Sequence, residues 1–401
     1  MVERRQGHPT TGTRPLKVMM TGLRGCPDVQ GGVERHVEHL APSLVLAGCE
    51  VEVLARTPYV GADAPNPWRG VRITRIWAPR SRSLEAVVHT FLCVLYAGWR
   101  RPDILHIHTI GPALLTPLAR LIGLKVVITH HGFDYDRQKW GRLARGVLRL
   151  GEALGMRCAN ACIAVSPAIC RSVQARFPVA AVTIPNGVSI ADAPATHATL
   201  DALGLTARRY VLMVGRLVPE KRHLDVIEAF KKAAPPCWRL AIVGAADHPD
   251  GYVRALHQIA RDTPGVVMAG FQSGTPLAEL FANAGIFALP SSHEGLPIAL
   301  LEALAYGLPA LASNIDANTE IAMPEDRYFE VGDVDALAAK LAGLAPALPG
   351  EQQRSDQRQR IMQLYGWGPI TERTLLVYRK VAGSLADTKP ATSWSGTRAK
   401  G

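Results

Sequence analysis

Two carboxylates, Glu294 and Glu302, stand eight positions apart in the stretch 291–309, SSHEGLPIALLEALAYGLP. At 3.6 residues per helical turn the second lies a little over two turns beyond the first, so the pair cannot grip one atom but can hold opposite ends of an elongated ligand. A guanidinium and an ammonium, Arg216 and Lys221, stand five residues apart in GRLVPEK, immediately after the apolar run 210–214. A diphosphate needs that complement, because arginine forks across two oxygens while lysine supplies a mobile point charge. Gly31 and Gly32 precede a helical pattern, where glycine lets backbone N–H groups approach a bound group closely. Four histidines, His106, His108, His130 and His131, end two short apolar runs.

The elements that must position these groups alternate between short apolar runs and helical patterns. Runs at 16–21, 48–55, 71–77, 103–108, 125–129, 161–165 and 181–184 read as strands of a first sheet, and runs at 210–214, 239–243, 266–269 and 284–290 as strands of a second. After the last of these a polar loop carries Glu294 and Gly295, and a helix follows with Pro297 in its first turn, closed by Gly307 and blocked from resuming by Pro309. In open parallel sheets ligands bind beyond the carboxyl ends of the strands, where helix N-termini offer free N–H groups and partial positive charge. An anion, a diphosphate above all, is expected there. The apolar segment 84–99 reads as a core helix between sheet and solvent in preference to a membrane-surface helix. The alanine-rich stretch 189–199 reads as the linker.

A chain of 401 residues, 48% hydrophobic and 20% charged, can bury two cores of ordinary size. The polar start has no apolar secretory core, and no clean run of about 18 apolar residues points to a membrane-spanning helix. Seven scattered cysteines form no paired framework, so a reducing cytosol is the simplest setting. Residues 1–190 hold 24 Lys and Arg against 12 Asp and Glu, a net +12, whereas the remainder carries −1. Basic domains meet nucleic acid, anionic lipid or acidic substrates. A metal is not expected at the histidines: His106 and His108 share a strand face, but adjacent His130 and His131 point apart, and no Cys or Asp completes a known ligand spacing.

The stretch around Glu294 and Glu302, with Gly295, Leu296 and Pro297 between them and Asn318-Thr319-Glu320 after it, resembles the E-x7-E segment of retaining GT-B glycosyltransferases of family 4. GRLVPEK resembles that family's G-R-x4-K segment, Thr129-His130-His131-Gly132 its T-x-H-G, and Pro185-Asn186-Gly187-Val188 the PNGV that closes the first domain. The stretch 21–56 resembles the opening of bacterial members that build surface polysaccharides, a rhamnosyltransferase-like branch in particular. The resemblance covers about residues 16–383 and implies two Rossmann-like, doubly wound α/β domains facing a cleft. Their expected bounds are 16–190 on the acceptor side and 191–365 on the nucleotide-sugar side, with a helix over 366–385 crossing back and disordered ends at 1–15 and 386–401.

The resemblance also implies roles. Arg216 and Lys221 would take the donor diphosphate, Glu294 the sugar hydroxyls, His131 the reacting sugar and Glu302 the ribose. Gly31, Gly32, Gly244, Gly295, Leu296 and Pro297 would line the donor site, and the backbone near Phe271 would meet the base. A nucleoside-diphosphate sugar would donate to a lipid-linked saccharide with retention, and no metal is expected. Asp134-Tyr135-Asp136 spells the metal motif of the other large glycosyltransferase fold, but its place after His131-Gly132 does not suit that role. Arg137, Arg142, Arg145 and Arg149 share helical faces and imply docking on the anionic inner surface of the cytoplasmic membrane. Two alternatives compete: a nucleotide-sugar 2-epimerase of the same architecture, opposed by the complete pair of donor motifs, and a nucleic-acid-binding protein, opposed by the lack of any helix-turn-helix, zinc-finger or aromatic RNA-binding pattern.

Overall fold

The computed structural model describes residues 14–80, 84–136, 141–179, 181–190, 197–233, 235–246, 251–321 and 323–383. Its first half runs β1 (Lys17–Thr21), α1 (Gly32–Leu46), β2 (Glu50–Arg56), β3 (Arg72–Ile76), α2 (Glu85–Arg100), β4 (Ile104–His108), α3 (Thr116–Leu121), β5 (Val126–His130), α4 (Arg142–Cys158), β6 (Ala161–Ala164), α5 (Pro167–Arg176) and β7 (Ala181–Thr183). The second half runs α6 (Ala198–Leu203), β8 (Tyr210–Val214), α7 (His223–Ala233), β9 (Arg239–Val243), α8 (Gly251–Arg261), β10 (Val266–Gly270), α9 (Gly274–Asn283), β11 (Ile286–Leu289), α10 (Ile298–Ala305), β12 (Ala310–Ser313), α11 (Asp316–Thr319), β13 (Tyr328–Phe329), α12 (Val334–Leu344), α13 (Glu351–Tyr365) and α14 (Trp367–Ala382).

Each half is one wholly parallel sheet, in the order β3-β2-β1-β4-β5-β6-β7 and β10-β9-β8-β11-β12-β13. Parallel strands need crossover helices, which cover both faces; that is why β4, β5 and β11 are buried at every position and read as unbroken apolar runs apart from their histidines. The fold class is therefore the doubly wound α/β pair of the GT-B type. Strand order reverses between β1 and β4 and again between β8 and β11, and each reversal opens a crevice at the carboxyl end of its sheet.

The last helix joins the halves. α14 follows the second sheet but packs Trp367, Ile370, Leu375 and Tyr378 into the core of the first, beside α1 and β4. The buried Tyr378 hydroxyl lies 2.6 Å from His106 Nδ1, and Thr129 Oγ1 lies 2.7 Å from the same ring's Nε2, so this histidine serves packing.

Several expectations change. Arg14, placed in a disordered start, forks onto Asp103 at 2.5 and 2.9 Å. The linker is shorter than 189–199, because α6 begins at Ala198, where Glu279 accepts from the Thr199 and Leu200 N–H groups and from the Thr199 hydroxyl. Pro297 is the N-cap of α10, outside its first turn. α13 was not foreseen, since it is polar from Glu351 to Arg360; it is held there by buried Arg354, which donates to the carbonyls of Tyr306, Gly307 and Ala282, where a cation meets the negative end of α10. Gly307 has φ +74, and a Cβ there would fall 2.8 Å from the Arg354 carbonyl oxygen, so only glycine closes α10. Arg137 and the tail 386–401 lie outside the described residues.

Removing the Tyr378 hydroxyl leaves one nitrogen of fully buried His106 without its partner. Tyr378→Phe is expected to cost about 1–3 kcal/mol, read as a lower urea midpoint with unchanged circular dichroism in native buffer. An unmoved midpoint would show that the Tyr378–His106 hydrogen bond does not help to hold α14.

Candidate functional site

The loops leaving the two crevices meet across the domains through glycine. A Cβ on Gly295 would stand 1.8 Å from the His131 carbonyl oxygen, and one on Gly132 would stand 3.3 Å from Gly295 Cα. No side chain fits either place without moving backbone. Nearby, Gln30 Oε1 accepts from the Ala245 N–H at 3.2 Å, and Asn186 Nδ2 donates to the Leu296 carbonyl at 2.9 Å. Gly244 has φ +148 and would drive a Cβ to 1.9 Å from the Gly215 carbonyl oxygen, so the ends of β8 and β9 close on each other beneath Gln30.

On the second-domain side, β8 ends at Gly215 and Arg216, and a short turn over Pro219–Lys221 brings Lys221 back along Gly215. Ser292 N–H donates to the Glu220 carbonyl at 2.9 Å, which ties this turn to the loop after β11. The tie sets Lys221 Nζ 2.5 Å from Glu294 Oε1, with both side chains largely buried. Beneath that loop the Ser313 hydroxyl donates to the Ser291 carbonyl at 2.5 Å, and Asn318 Nδ2 donates to the Ser313 carbonyl at 2.8 Å. α10 then begins, with its first-turn N–H groups lacking intrahelical acceptors. Gly244 N–H donates to the Gly270 carbonyl at 2.8 Å, placing Phe271, 41% exposed, at the rim of the same strand ends.

On the first-domain side, the Gly31 loop is held by Arg24 and Glu34. Arg24 donates its backbone N–H and its Nε to Glu34 Oε1 at 3.0 and 3.1 Å, and its Nη2 reaches the Gln30 carbonyl. Burial resists ionisation of Glu34, but the charge and hydrogen bonds of Arg24 outweigh it and hold the carboxyl below its usual range. Gly31, φ +149, is pinned between these two side chains, whereas Gly32 has open space around it and is not demanded by sterics. One turn into α1, Arg35 crosses the cleft and donates from Nε to Glu302 Oε1 at 3.0 Å. Burial raises the pKa of Glu302, and Arg35 offsets this only in part.

Three imidazoles converge where the domains meet. His108 Nδ1 and His131 Nε2 are 3.0 Å apart, and His36 from α1 meets the His131 ring edge-on at 4.9 Å between centroids. Each of the three offers a ring nitrogen within 4.8 Å of the others, a set that as neutral imidazoles can hold a metal such as zinc. The spacing argument weighed His106, His108, His130 and His131 together and missed His36, which arrives from another element. His130 turns away, its Nε2 lying 3.0 Å from Glu152, whose carboxylate is also forked by Arg176. Burial first, then the neighbouring rings, push His131 down to about 3 and His36 and His108 well below their usual range.

Two residues of this site, Arg35 and His36, escaped the sequence reading. A signal was present: both follow the double glycine within one turn of α1, the part of a helix that faces a strand-end ligand.

Buried neutral histidines set a pH dependence. The folded pKa of His131, and of His106, which burial also lowers to about 3, lies below the unfolded value near 6.5, so the unfolded chain takes up protons first as pH falls. Their contribution is fully present above about pH 6.5 and is lost progressively toward pH 3, at up to about 1.4 kcal/mol per pH unit for each such histidine. The urea midpoint is therefore expected to drop steeply between pH 7 and pH 5. A flat profile over that interval would contradict the neutral cluster.

Comparison with known proteins bears on this geometry. Residues 30–192 match the family described as Glycosyltransferase Family 4, and residues 201–354 match Glycosyl transferases group 1. The chain is 27% identical to an alpha-maltose-1-phosphate synthase of Mycolicibacterium smegmatis, over 92% of this chain and 100% of that protein. It is 30% identical to a UDP-Gal:alpha-D-GlcNAc-diphosphoundecaprenol alpha-1,3-galactosyltransferase of Escherichia coli, over 58% of this chain and 64% of that one. Among solved structures, Anabaena HepE in complex with UDP and glucose superimposes with a TM-score of 0.73 at 19% identity, covering 92% of this chain and 99% of that one.

Proposed function

The chain belongs to the GT-B glycosyltransferases of the family 4 kind, and on that premise we propose that it moves a hexosyl or deoxyhexosyl group from a nucleoside-diphosphate sugar to a lipid-linked saccharide, with retention, in bacterial surface-polysaccharide assembly. One observation carries this reading: Arg216 and Lys221 follow β8 and α10 follows β11, the two strands at the strand-order reversal of the second sheet, and the Gly295 backbone ahead of α10 lies against that of His131. The similarity to a galactosyltransferase whose named substrate is a diphosphoundecaprenol-linked sugar supports a lipid-linked acceptor, and the likeness to a fold that holds UDP and glucose is consistent with a nucleotide-sugar donor.

In this reading the leaving diphosphate gathers negative charge as the anomeric bond breaks. Arg216, Lys221 and the first-turn N–H groups of α10 stabilise it, and because the backbone ties around Ser292 and Ser313 hold them in place, little reorganisation is required. The Lys221 ammonium exchanges the Glu294 carboxylate for phosphate oxygens, which frees Glu294 to bind sugar hydroxyls. Glu302 takes the ribose hydroxyls, and Gly31, Gly244, Gly295, Leu296, Pro297 and the backbone at Phe271 frame the donor. His131, neutral by burial, accepts from or donates to a sugar hydroxyl without adding a charge that would compete for the diphosphate. With Glu294 taken up by the sugar hydroxyls and Glu302 by the ribose and Arg35, neither carboxylate is left as a covalent nucleophile, which suits front-face retention better than a covalent glycosyl-enzyme. No step needs a metal.

Arg216→Ala and Lys221→Ala are each expected to weaken nucleoside-diphosphate binding by about ten- to a hundredfold, the equivalent of one charge-assisted contact, in calorimetric titration. Unchanged affinity in both variants would refute the diphosphate assignment.

The two glutamates are expected to separate kinetically. Glu302→Gln raises the donor KM, because a ground-state contact is lost, whereas Glu294→Gln lowers kcat if its contact with the sugar tightens in the transition state. Product mass spectrometry with a panel of nucleotide sugars and a lipid-linked acceptor supplies the assay, and the reverse pattern would exchange the two roles.

A further inference from the structure

The first domain carries an apolar surface that the cleft does not use. Of the seventeen large hydrophobic side chains exposed among the described residues, eight lie on or at the start of α2, α3 and α4. On α2, Phe91, Leu95 and Trp99 recur every four residues and are 43, 47 and 75% exposed, while Cys93, Val94 and Ala97 face the core. On α4, Leu143, Val147 and Leu150 form a second ridge, 85, 38 and 52% exposed. A helix that merely covers a sheet shows water its polar face. These two show water apolar ridges as well, although α2 also buries one face on the sheet as a helix between sheet and solvent does.

Packing makes the ridges one surface. Both helices close on residues 110–122 between them: Gly98 of α2 lies against Ile122, while Gly151 and Gly155 of α4 lie against Ile110 and Ala113. The glycines bring both helices down onto this common floor, on either side of α3.

The exposed charges carried by these helices are all of one sign. Arg142, Arg145 and Arg149 flank the α4 ridge and are exposed, and the Arg100 guanidinium lies over the Trp99 ring, 5.7 Å from its centroid. The three helices contain only two carboxylates, and both are buried in ion pairs, Glu85 with Arg56 and Glu152 with Arg176. An apolar centre bordered by cations, with no exposed acid, complements an anionic lipid leaflet: the apolar side chains enter the acyl boundary, the arginines reach headgroup phosphates, and a tryptophan settles at the interface.

We propose that the combined α2–α4 face of the first domain is a membrane-docking surface that binds an anionic leaflet by shallow apolar insertion together with arginine contacts. This rests on the proposed lipid-linked acceptor and deepens it, since charge alone would make docking fully reversible by salt. The surface also connects to the cleft. Arg149 lies over the Tyr135 ring, 5.3 Å from its centroid, and the Tyr135 hydroxyl accepts from Arg176, which forks Glu152, the partner of His130 beside His131. The turn that follows His131 and Gly132 is thereby held at the membrane edge, where a lipid-borne sugar can enter.

The test is sedimentation of the full chain with phosphatidylcholine vesicles, with and without phosphatidylglycerol, at low salt and at about 1 M salt, where the Debye length falls to about 3 Å. Three proteins are compared: wild type, Leu143→Ser/Val147→Ser/Leu150→Ser, and Arg142→Gln/Arg145→Gln/Arg149→Gln. Wild type is expected to bind anionic vesicles and to keep part of that binding at high salt. The serine variant is expected to lose the salt-resistant part by about tenfold or more, and the glutamine variant to lose most of its preference for anionic vesicles. Binding that high salt abolishes and the serine changes leave untouched would overturn apolar insertion, as would no vesicle binding at all. Concentration-dependent dimers that the serine changes dissolve, without vesicle binding, would assign the face to a second copy of the chain and overturn it equally. Nucleoside-diphosphate titration of each protein separates the two readings: a wild type that binds nucleotide but ignores vesicles rejects only the docking surface, whereas one that binds no nucleotide rejects the glycosyltransferase assignment.

Discussion

Everything at this site depends on how closely two stretches of backbone approach. The His131 carbonyl and Gly132 lie against Gly295 at a separation that excludes even a methyl group, so the two domains meet through main chain. That approach sets the width of the cleft. It also decides which side chains can reach across it: Arg35 meets Glu302, Gln30 meets the backbone of Ala245, and Asn186 meets that of Leu296. Were either glycine replaced by a residue with a Cβ, backbone would have to shift and these contacts would open together.

Charge in the cleft is arranged by the same geometry. Burial disfavours ions, and the site answers in two ways. The carboxylates and cations are paired, Lys221 with Glu294 and Arg35 with Glu302, while the imidazoles are held neutral by burial and by each other. A paired cation remains available to a stronger anion, since a diphosphate offers more oxygens than one carboxylate. A neutral ring beside it neither repels the cations nor attracts the phosphate. The cleft therefore stays folded without a ligand and still presents positive charge to one.

The two ends of the first domain have opposite characters for one reason. The crossover helices α2 and α4 run from the cleft to the far edge of the sheet, and each must bury one face against β-strands filled with Val, Ile and Leu. Their remaining faces are free to serve another contact. That they carry apolar ridges and arginine in place of the usual mixed charges distinguishes them from α13, whose exposed positions are polar apart from Leu364.

Local pattern in the chain was sufficient for the first parallel sheet and for four strands of the second, because a strand buried on both faces is an unbroken apolar run and a crossover helix has a period that such a run lacks, whereas the short strands β12 and β13 went unread. It was sufficient also for the turn chemistry of GRLVPEK and of the loop carrying Glu294, where strand end, cation and helix start are neighbours in sequence. Only the tertiary structure decided what those residues touch. Arg35 and Glu302 are 267 positions apart, and the imidazoles of His36, His108 and His131 come from three separate elements, so no spacing rule joins them. The mostly polar helix α13 left little periodic signal, because Ile361 and Tyr365 enter the core only near its end and its first half is anchored by a buried arginine that bonds carbonyls some fifty positions away. The outward ridge of α2 was equally invisible: an apolar helix in sequence has no marked inside or outside until the sheet beneath it takes one face and leaves the other.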